Sequence, residues 1–132
     1  MSTLDPSAPI TVHIVEDDCA VRHALGLVLS AEGYNVRAWA DGESFLAGET
    51  AASTDIVLLD LGLPGIDGVS VARTLRQRHG AIRIAVLSGL RGRAYLTCVD
   101  SIKPDLALRK PVGGESLSAA LAMMIGSRSP HP

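Results

Sequence analysis

The chain has 132 residues, of which 47% are hydrophobic, and a formal net charge of −2. This length favours a single domain with its own core, and the apolar content excludes a disordered chain. The small negative charge provides neither the basic surface that nucleic acids require nor a polybasic patch for a membrane.

Three further absences bear on the compartment. Cys19 and Cys98 are the only cysteines, and their separation matches no metal or redox motif. The N-terminus lacks the basic and apolar blocks of a signal peptide, and no apolar run reaches membrane-spanning length. Because the sequence has no disulfide framework, a reducing compartment is the simplest location, and we expect a cytoplasmic protein.

Short β-rich runs alternate along the chain with stretches of helical periodicity. The predicted strands are aliphatic and β-branched and cover residues 10–15, 34–39, 55–60, 82–87 and 105–109. A helical pattern follows each run: after Asp18, after Asp41, over about 67–79, within 90–104, and over 115–125. Five such units predict an α/β fold, a doubly wound five-stranded parallel sheet with helices on both faces.

Several residues mark the predicted ends of these elements. Asp18, Asp41 and Asp67 each precede a helical stretch, where a carboxylate can accept hydrogen bonds from first-turn N–H groups. Gly33 follows the first helix, as is typical of a residue just past a helix end. Trp39 should be a packing residue near a sheet edge.

The two ends of the chain differ in composition from its body. Residues 1–9 are rich in Ser and Pro, and residues 126–132 are polar and end in Pro. We expect both segments to be disordered, because neither contains enough apolar residues to pack. Residues 10–125 then form one domain.

Charged residues stand at the predicted carboxyl ends of three strands. Glu16 and Asp17 follow the first strand, Asp60 ends the third, and Lys110 follows the fifth. In open α/β sheets, ligands bind just outside these strand ends, where the strand order reverses. Carboxylates from two strands form a pocket for a hard cation, and a lysine across from them indicates phosphoryl chemistry on an aspartate.

The same residues lie in motifs that resemble the receiver domains of two-component response regulators. The resemblance covers about residues 10–125 and rests on four motifs: Val15-Glu16-Asp17-Asp18, Asp60 to Gly68, Leu87-Ser88-Gly89 and Lys110-Pro111. Each motif alone is weak, but all four in order, each at a strand end, form a specific pattern. The resemblance implies a flavodoxin-like (βα)5 fold with strand order 2-1-3-4-5.

The resemblance also implies how the acidic residues divide their roles. Asp60 would be the nucleophile that forms an aspartyl phosphate. Mg²⁺ would be held directly by Asp17, Asp60 and the backbone carbonyl of Gly62, with Glu16 acting mostly through a coordinated water. Asp18 is left as a helix cap.

Two further residues would complete the site that the resemblance implies. Lys110 would pair with Asp60 before the reaction and with a phosphoryl oxygen after it, and the bond to Pro111 would be cis. Ser88 would donate its hydroxyl to the phosphoryl group.

Ala107 departs from the family, which usually carries Tyr or Phe three residues before the lysine. Because a methyl group cannot act as the gating ring, we expect output to be weak, altered or routed through other faces.

The leading interpretation is a receiver that takes a phosphoryl group from a histidine kinase or phosphotransfer protein and switches protein–protein interactions. It would be no enzyme beyond its own phosphorylation and dephosphorylation, and either a monomer or a phosphorylation-dependent dimer. A stand-alone receiver is the preferred form, and the receiver part of a DNA-binding transcriptional regulator is the alternative. The given chain itself carries no DNA-binding element.

Other classes are less favoured. A phosphohydrolase with an aspartyl nucleophile usually carries a second acid two residues later, and Gly62 stands there. A binder of a flavin phosphate needs a Ser/Thr/Gly phosphate loop after the first strand, whereas three carboxylates occupy that place and would repel the ligand. A folded receiver that is never phosphorylated ranks below the active form, because all the acceptor groups are present.

Overall fold

The structure confirms the predicted alternation of strands and helices, with ends close to the predicted ones. It is a computed structural model that describes residues 10–62 and 67–127. Within these residues, the strands are β1 (Thr11–Val15), β2 (Asn35–Trp39), β3 (Ile56–Asp60), β4 (Arg83–Ser88) and β5 (Leu106–Arg109). The helices are α1 (Cys19–Ala31), α2 (Gly42–Gly48), α3 (Gly68–Arg78), α4 (Gly92–Ile102) and α5 (Gly114–Ser127).

The predicted terminal segments fall largely outside the described residues. This applies to all of 1–9 and to 128–132, as it does to 63–66 in the loop after β3. Gly126 and Ser127 were assigned to the tail from the sequence, but both belong to α5.

The strands form one parallel sheet in the order β2-β1-β3-β4-β5, which confirms the predicted doubly wound, flavodoxin-like fold. Every residue of the central strand β3 is buried. Its continuous apolar run suits this place, because a central parallel strand is covered on both faces. The strand order reverses between β1 and β3, so a crevice opens at the carboxyl ends of these two strands.

An apolar cluster covers each face of the sheet. Val57 and Leu59 of β3 belong to one cluster, and Ile56 and Leu58 belong to the other, as the two-residue period of a strand requires. Residues of α2, α3 and α4 complete the first cluster, and residues of α1 and α5 complete the second. Packing on both faces thus holds the carboxyl ends of the strands in place.

Phe45 of α2 is fully buried in the first cluster. Its ring centre lies 5.8 Å from that of Trp39 in an edge arrangement and 5.9 Å from that of His13. Trp39 ends the edge strand β2, so its predicted role as a packing residue near a sheet edge is confirmed. The buried His13 ring lies 3.0 Å from the Asp55 carboxylate through Nε2.

The three predicted aspartate caps are confirmed. Asp18 Oδ1 accepts hydrogen bonds from Ala20 N–H and Val21 N–H at 2.9 and 3.1 Å. The Asp41 and Asp67 carboxylates each accept one from the third residue beyond them, at 2.7 and 2.8 Å. In the described ranges, no helix combines the length and hydrophobicity that a bilayer-spanning segment needs.

Ionic contacts join the ends of α2 and α3. The Glu49 carboxylate, 3% exposed, lies 3.0 Å from Arg78 Nη1 and 3.1 Å from His79 Nε2. It also accepts the Ala51 N–H at 2.8 Å. Burial raises the pKa of Glu49, but the hydrogen bonds from Ala51, Arg78 and His79 outweigh this and hold the pKa below its ordinary value.

Candidate functional site

The predicted acidic residues meet at the crevice between β1 and β3. Glu16 directly follows β1, and Asp60 is the last residue of β3, which pairs in parallel with β1. Carboxylate oxygens of Glu16, Asp17 and Asp60 all lie within 4.8 Å of one another. Glu16 and Asp60 are buried, whereas Asp17 is exposed, so the cluster has two interior oxygen donors and one that reaches solvent.

Lys110 reaches this cluster from the end of β5. Its Nζ lies 2.7 Å from Glu16 Oε1 and 3.2 Å from Asp60 Oδ2. The sequence predicted the pairing with Asp60, but the closer contact with Glu16 was not foreseen. The Lys110–Pro111 peptide is cis, as predicted.

The two buried acids have pKa values shifted in opposite directions. Burial raises the pKa of Glu16 to about 7, with Asp60 adding to the rise and Lys110 opposing it. Burial also raises the pKa of Asp60, but hydrogen bonds with Glu16, Gly62 and Lys110 outweigh it and bring that pKa below its ordinary value. Without a cation, the pair therefore takes up its first proton at Glu16 rather than at Asp60.

The pKa of Lys110 is shifted by the same two acids. Burial would lower the pKa of Lys110, but Glu16 and Asp60 raise it above its ordinary value. Lys110 therefore stays charged at any physiological pH. In the part of the chain that the structure describes, the ion pairs of Glu16 and Asp60 are both with Lys110. Three carboxyl groups therefore share one ammonium and can accept a further cation.

Backbone contacts hold the acidic loop in place. Arg22 of α1 donates through Nη1 to the carbonyl of Glu16 at 2.9 Å and to that of Asp17 at 3.4 Å. After β3, the Gly62 N–H donates to Asp60 Oδ1 at 2.9 Å. The sequence analysis missed this role of Arg22. An arginine in the first turn of the helix after an acidic loop was the available signal.

Ser88 and Gly62 lie at the same edge of the sheet. Ser88 is buried and ends β4, one residue after Leu87, which pairs with Asp60. Its Oγ accepts a hydrogen bond from Leu90 N–H at 2.9 Å. Gly62 is exposed in the turn after β3. The roles of Ser88 toward a phosphoryl group and of the Gly62 carbonyl toward a metal stay predictions.

The acidic cluster fits Mg²⁺. This cation takes oxygen ligands and is commonly held by one or two carboxylates with waters and phosphate oxygens. The cluster provides three carboxylates, one of them exposed, and apart from Lys110 the buried Glu16 Oε1 has no hydrogen-bond partner in the described parts of the chain. A parallel α/β sheet with acids and one lysine at its switch point is suited to hold a hard cation beside a carboxylate.

The chain belongs to the response regulator receiver domain family, whose model matches residues 12–122. Members are receiver domains of two-component systems, in which phosphorylation and Mg²⁺ at an acidic pocket are typical. They interact with histidine kinases and with output domains, and in general they are not enzymes.

Two curated relatives illustrate the match. The tetrathionate response regulatory protein TtrR of Salmonella typhimurium is 35% identical over 113 residues, which cover 84% of this chain and 54% of the relative. The transcriptional regulatory protein CseB of Streptomyces coelicolor is 34% identical over 114 residues, covering 86% of this chain and 48% of the relative. The chain thus spans about half the length of the curated relatives it matches.

Solved structures agree on the fold. The BeF3-activated receiver domain of DrrB, from Thermotoga maritima, has a TM-score of 0.81 and 22% identity, covering 90% of this chain and 99% of that one. A CheY-like receiver domain protein from Methanospirillum hungatei also has a TM-score of 0.81, with 20% identity and coverage of 91% and 96%. At these identities the likeness supports the five-stranded fold alone.

Proposed function

We propose that this receiver accepts a phosphoryl group on Asp60, from a histidine kinase or phosphotransfer protein, and thereby switches protein–protein interactions. The observation that carries the proposal is the convergence of Glu16, Asp17 and Asp60 within 4.8 Å, with Lys110 Nζ at 3.2 Å from the Asp60 carboxylate. Family membership supplies the reaction class.

Asp60 is suited to be the nucleophile. Its lowered pKa keeps the carboxylate ionised, and the Gly62 N–H fixes one oxygen at 2.9 Å. In the proposed transfer, a carboxylate oxygen of Asp60 bonds to phosphorus while the bond from phosphorus to the donor's imidazole nitrogen breaks. The products are an acyl phosphate on Asp60 and the donor's imidazole, whose ring takes up one proton from water as the phosphorus–nitrogen bond breaks.

The surrounding groups offset the charge of this reaction. Mg²⁺ at Asp17, Asp60 and the Gly62 carbonyl, with Glu16 behind a water, would neutralise the attacking carboxylate and the phosphoryl oxygens. Lys110 would exchange its contact with Asp60 for one with a phosphoryl oxygen. Ser88 would donate its hydroxyl to another phosphoryl oxygen.

The form in which the receiver works has two candidates. The first candidate is a stand-alone receiver that docks on partners. A specific observation favours the second candidate, a receiver within a DNA-binding regulator: relatives named as transcriptional regulators are about twice as long as the matched region. An immunoblot of the source cells separates them, since a stand-alone receiver runs near 13.8 kDa and a regulator runs at a larger mass.

The proposed chemistry is tested by incubating the protein with acetyl phosphate and Mg²⁺ and measuring its intact mass. We expect one phosphoryl adduct, which disappears in EDTA and in Asp60→Asn. The exposed Asp100 of α4 provides the matched control, so Asp100→Asn should keep the adduct. An adduct that persists in Asp60→Asn, or none in the wild type, would refute the assignment.

The phosphohydrolase alternative is tested with an added phosphomonoester. Gly62 replaces the acid that such an enzyme would use, so we expect no release of phosphate from p-nitrophenyl phosphate above the uncatalysed rate. Turnover that depends on Asp60 would favour the hydrolase.

A further inference from the structure

A chain of contacts leads from the phosphoryl edge of the sheet to α4. The Ser88 hydroxyl accepts a hydrogen bond from Leu90 N–H at 2.9 Å, and the Leu90 carbonyl accepts one from Arg109 Nη1 at 3.3 Å. The guanidinium carbon of Arg109 lies 4.5 Å from the centre of the Tyr95 ring. We name this set of residues the Ser88–Tyr95 relay: Ser88, Leu90, Arg109 and Tyr95.

The sheet places two members of this relay, Ser88 and Arg109, next to the proposed site. Ser88 and Arg109 are register partners at the carboxyl ends of β4 and β5. The residue after Arg109 is Lys110, whose N–H donates to the Ser88 carbonyl at 2.9 Å. One hydrogen bond thus connects Ser88 to Leu90, and a second connects Leu90 to Arg109.

The segment between β4 and α4 has backbone freedom for such a displacement. Only residues 89–91 separate the two elements. Gly92 has a φ of +60°, and apart from Gly89 and its two chain neighbours no atom of the described residues lies within 4 Å of where a Cβ of Gly89 would be. Small changes of backbone angle at these two glycines can move Leu90 without disturbing β4.

The two ends of α4 are held unequally. At its C-terminal end, Ile102 is buried, and Arg76 of α3 donates to the carbonyls of Ile102 and Lys103. At its N-terminal end, Arg91 makes no side-chain capping bond, and the Tyr95–Arg109 contact joins the first turns to β5. The C-terminal end of α4 is therefore the more firmly anchored of the two.

The aromatic group on this face of the domain is supplied by α4. Ala107 lies two residues before Arg109 on β5, so both side chains point to the same face, and Ala107 offers only a methyl group. Tyr95 instead brings a ring to the same face from the helix itself.

We propose that the Arg109–Tyr95 contact carries the response to phosphorylation from Ser88 to the N-terminal end of α4, with the Arg76 end as the pivot. This proposal rests on the proposed function at Asp60. When the Ser88 hydroxyl donates to a phosphoryl oxygen, the Leu90 amide that donates to the same hydroxyl oxygen follows it. The Leu90 carbonyl then moves relative to Arg109, and the guanidinium shifts over the Tyr95 ring.

The experiment uses the full chain and amide NMR spectra with and without beryllofluoride and Mg²⁺. In the wild type, we expect shifts at Ser88, Leu90 and Tyr95 and smaller ones at Ile102. In Arg109→Gln, the Ser88 shift and the beryllofluoride affinity should stay within about twofold, because Arg109 only borders the site. The shift at Tyr95 should be lost.

Matched variants separate this route from a general loosening of α4. Arg93→Gln removes an exposed arginine from the same helix and should leave the Tyr95 response intact. Tyr95→Phe keeps the ring and should keep the response of the first turns of α4, whereas Tyr95→Ala should lose it.

The outcomes distinguish the two proposals. If Ser88 and Lys110 fail to respond in the wild type, the proposed function is refuted and the relay with it. If they respond but the first turns of α4 do not, the function stands and the relay is wrong. The relay is also wrong if α4 responds equally in Arg109→Gln, or if Arg93→Gln abolishes the response.

Discussion

Replacing Glu16 with glutamine tests how the buried acids share charge. Burial beside Asp60 raises the pKa of Glu16 from an ordinary value of 4.5 to about 7. An acid with a raised pKa in the folded state stabilises the fold most when it is protonated. Its contribution is fully present below its unfolded pKa and is lost as the pH rises through 7.

The size of this effect follows from the two pKa values. Between pH 5 and pH 8 in metal-free buffer, the proton on Glu16 accounts for about 2–3 kcal/mol of unfolding free energy, which the native protein loses as the pH rises. Asp60 stays ionised throughout this range because its pKa is lowered, so it adds little slope. Glu16→Gln carries no titrating group and should show none of this loss.

Urea unfolding in EDTA, at several pH values for both proteins, measures the difference directly. Every ionisable group other than residue 16 is common to both proteins, so its contribution cancels when one free energy of unfolding is subtracted from the other. We expect the advantage of wild type over Glu16→Gln to shrink by about 2–3 kcal/mol from pH 5 to pH 8. A difference that is flat across this range would show that Glu16 remains ionised and would refute the reasoning.

Three further predictions concern other parts of the molecule. Phe45→Ala removes a fully buried ring and should lower the free energy of unfolding, measured in urea, by about 3–5 kcal/mol. Its control is Leu27→Ala, at a position 60% exposed, which should change the free energy of unfolding by less than about 0.5 kcal/mol. Glu49→Gln should cost about 1–2 kcal/mol at pH 7. Because the pKa of Glu49 is lowered in the folded state, the stability lost in Glu49→Gln should diminish as the pH falls through that pKa. A loss of stability that stays the same in acid would contradict the contacts of Glu49 with Arg78 and His79. Asp17→Asn removes an exposed carboxylate, so metal-free stability should hold to within about 0.5 kcal/mol while most of the thermal stabilisation by added Mg²⁺ disappears.

The strand ends explain why so much of the site was visible in the sequence. Parallel strands all finish at one edge of the sheet, so an acid after the first strand and another ending the third must be neighbours once those strands pair. Asp60 and Glu16 were assigned to a common pocket on this ground. Asp18, Asp41 and Asp67 were recognised as caps because capping depends on residues only two or three positions apart.

Contacts made by long side chains were harder to foresee. The preference of Lys110 for Glu16 over Asp60, by 2.7 against 3.2 Å, depends on the relative heights of strand ends that are far apart in the chain. The Arg22 contacts with the acidic loop and the stacking of Arg109 on Tyr95 depend in the same way on how helices lean on the sheet. Residue spacing does not encode these angles.

The sequence by itself therefore determined the order of elements, the face that each strand residue occupies and the edge where the charged residues gather. These follow from local periodicity and from the common direction of parallel strands. Only the tertiary structure decided how the charges divide among Glu16, Asp60 and Lys110, and which helix end is held by Arg76. Burial and distance set pKa values and side-chain contacts, and both exist only once the layers have packed.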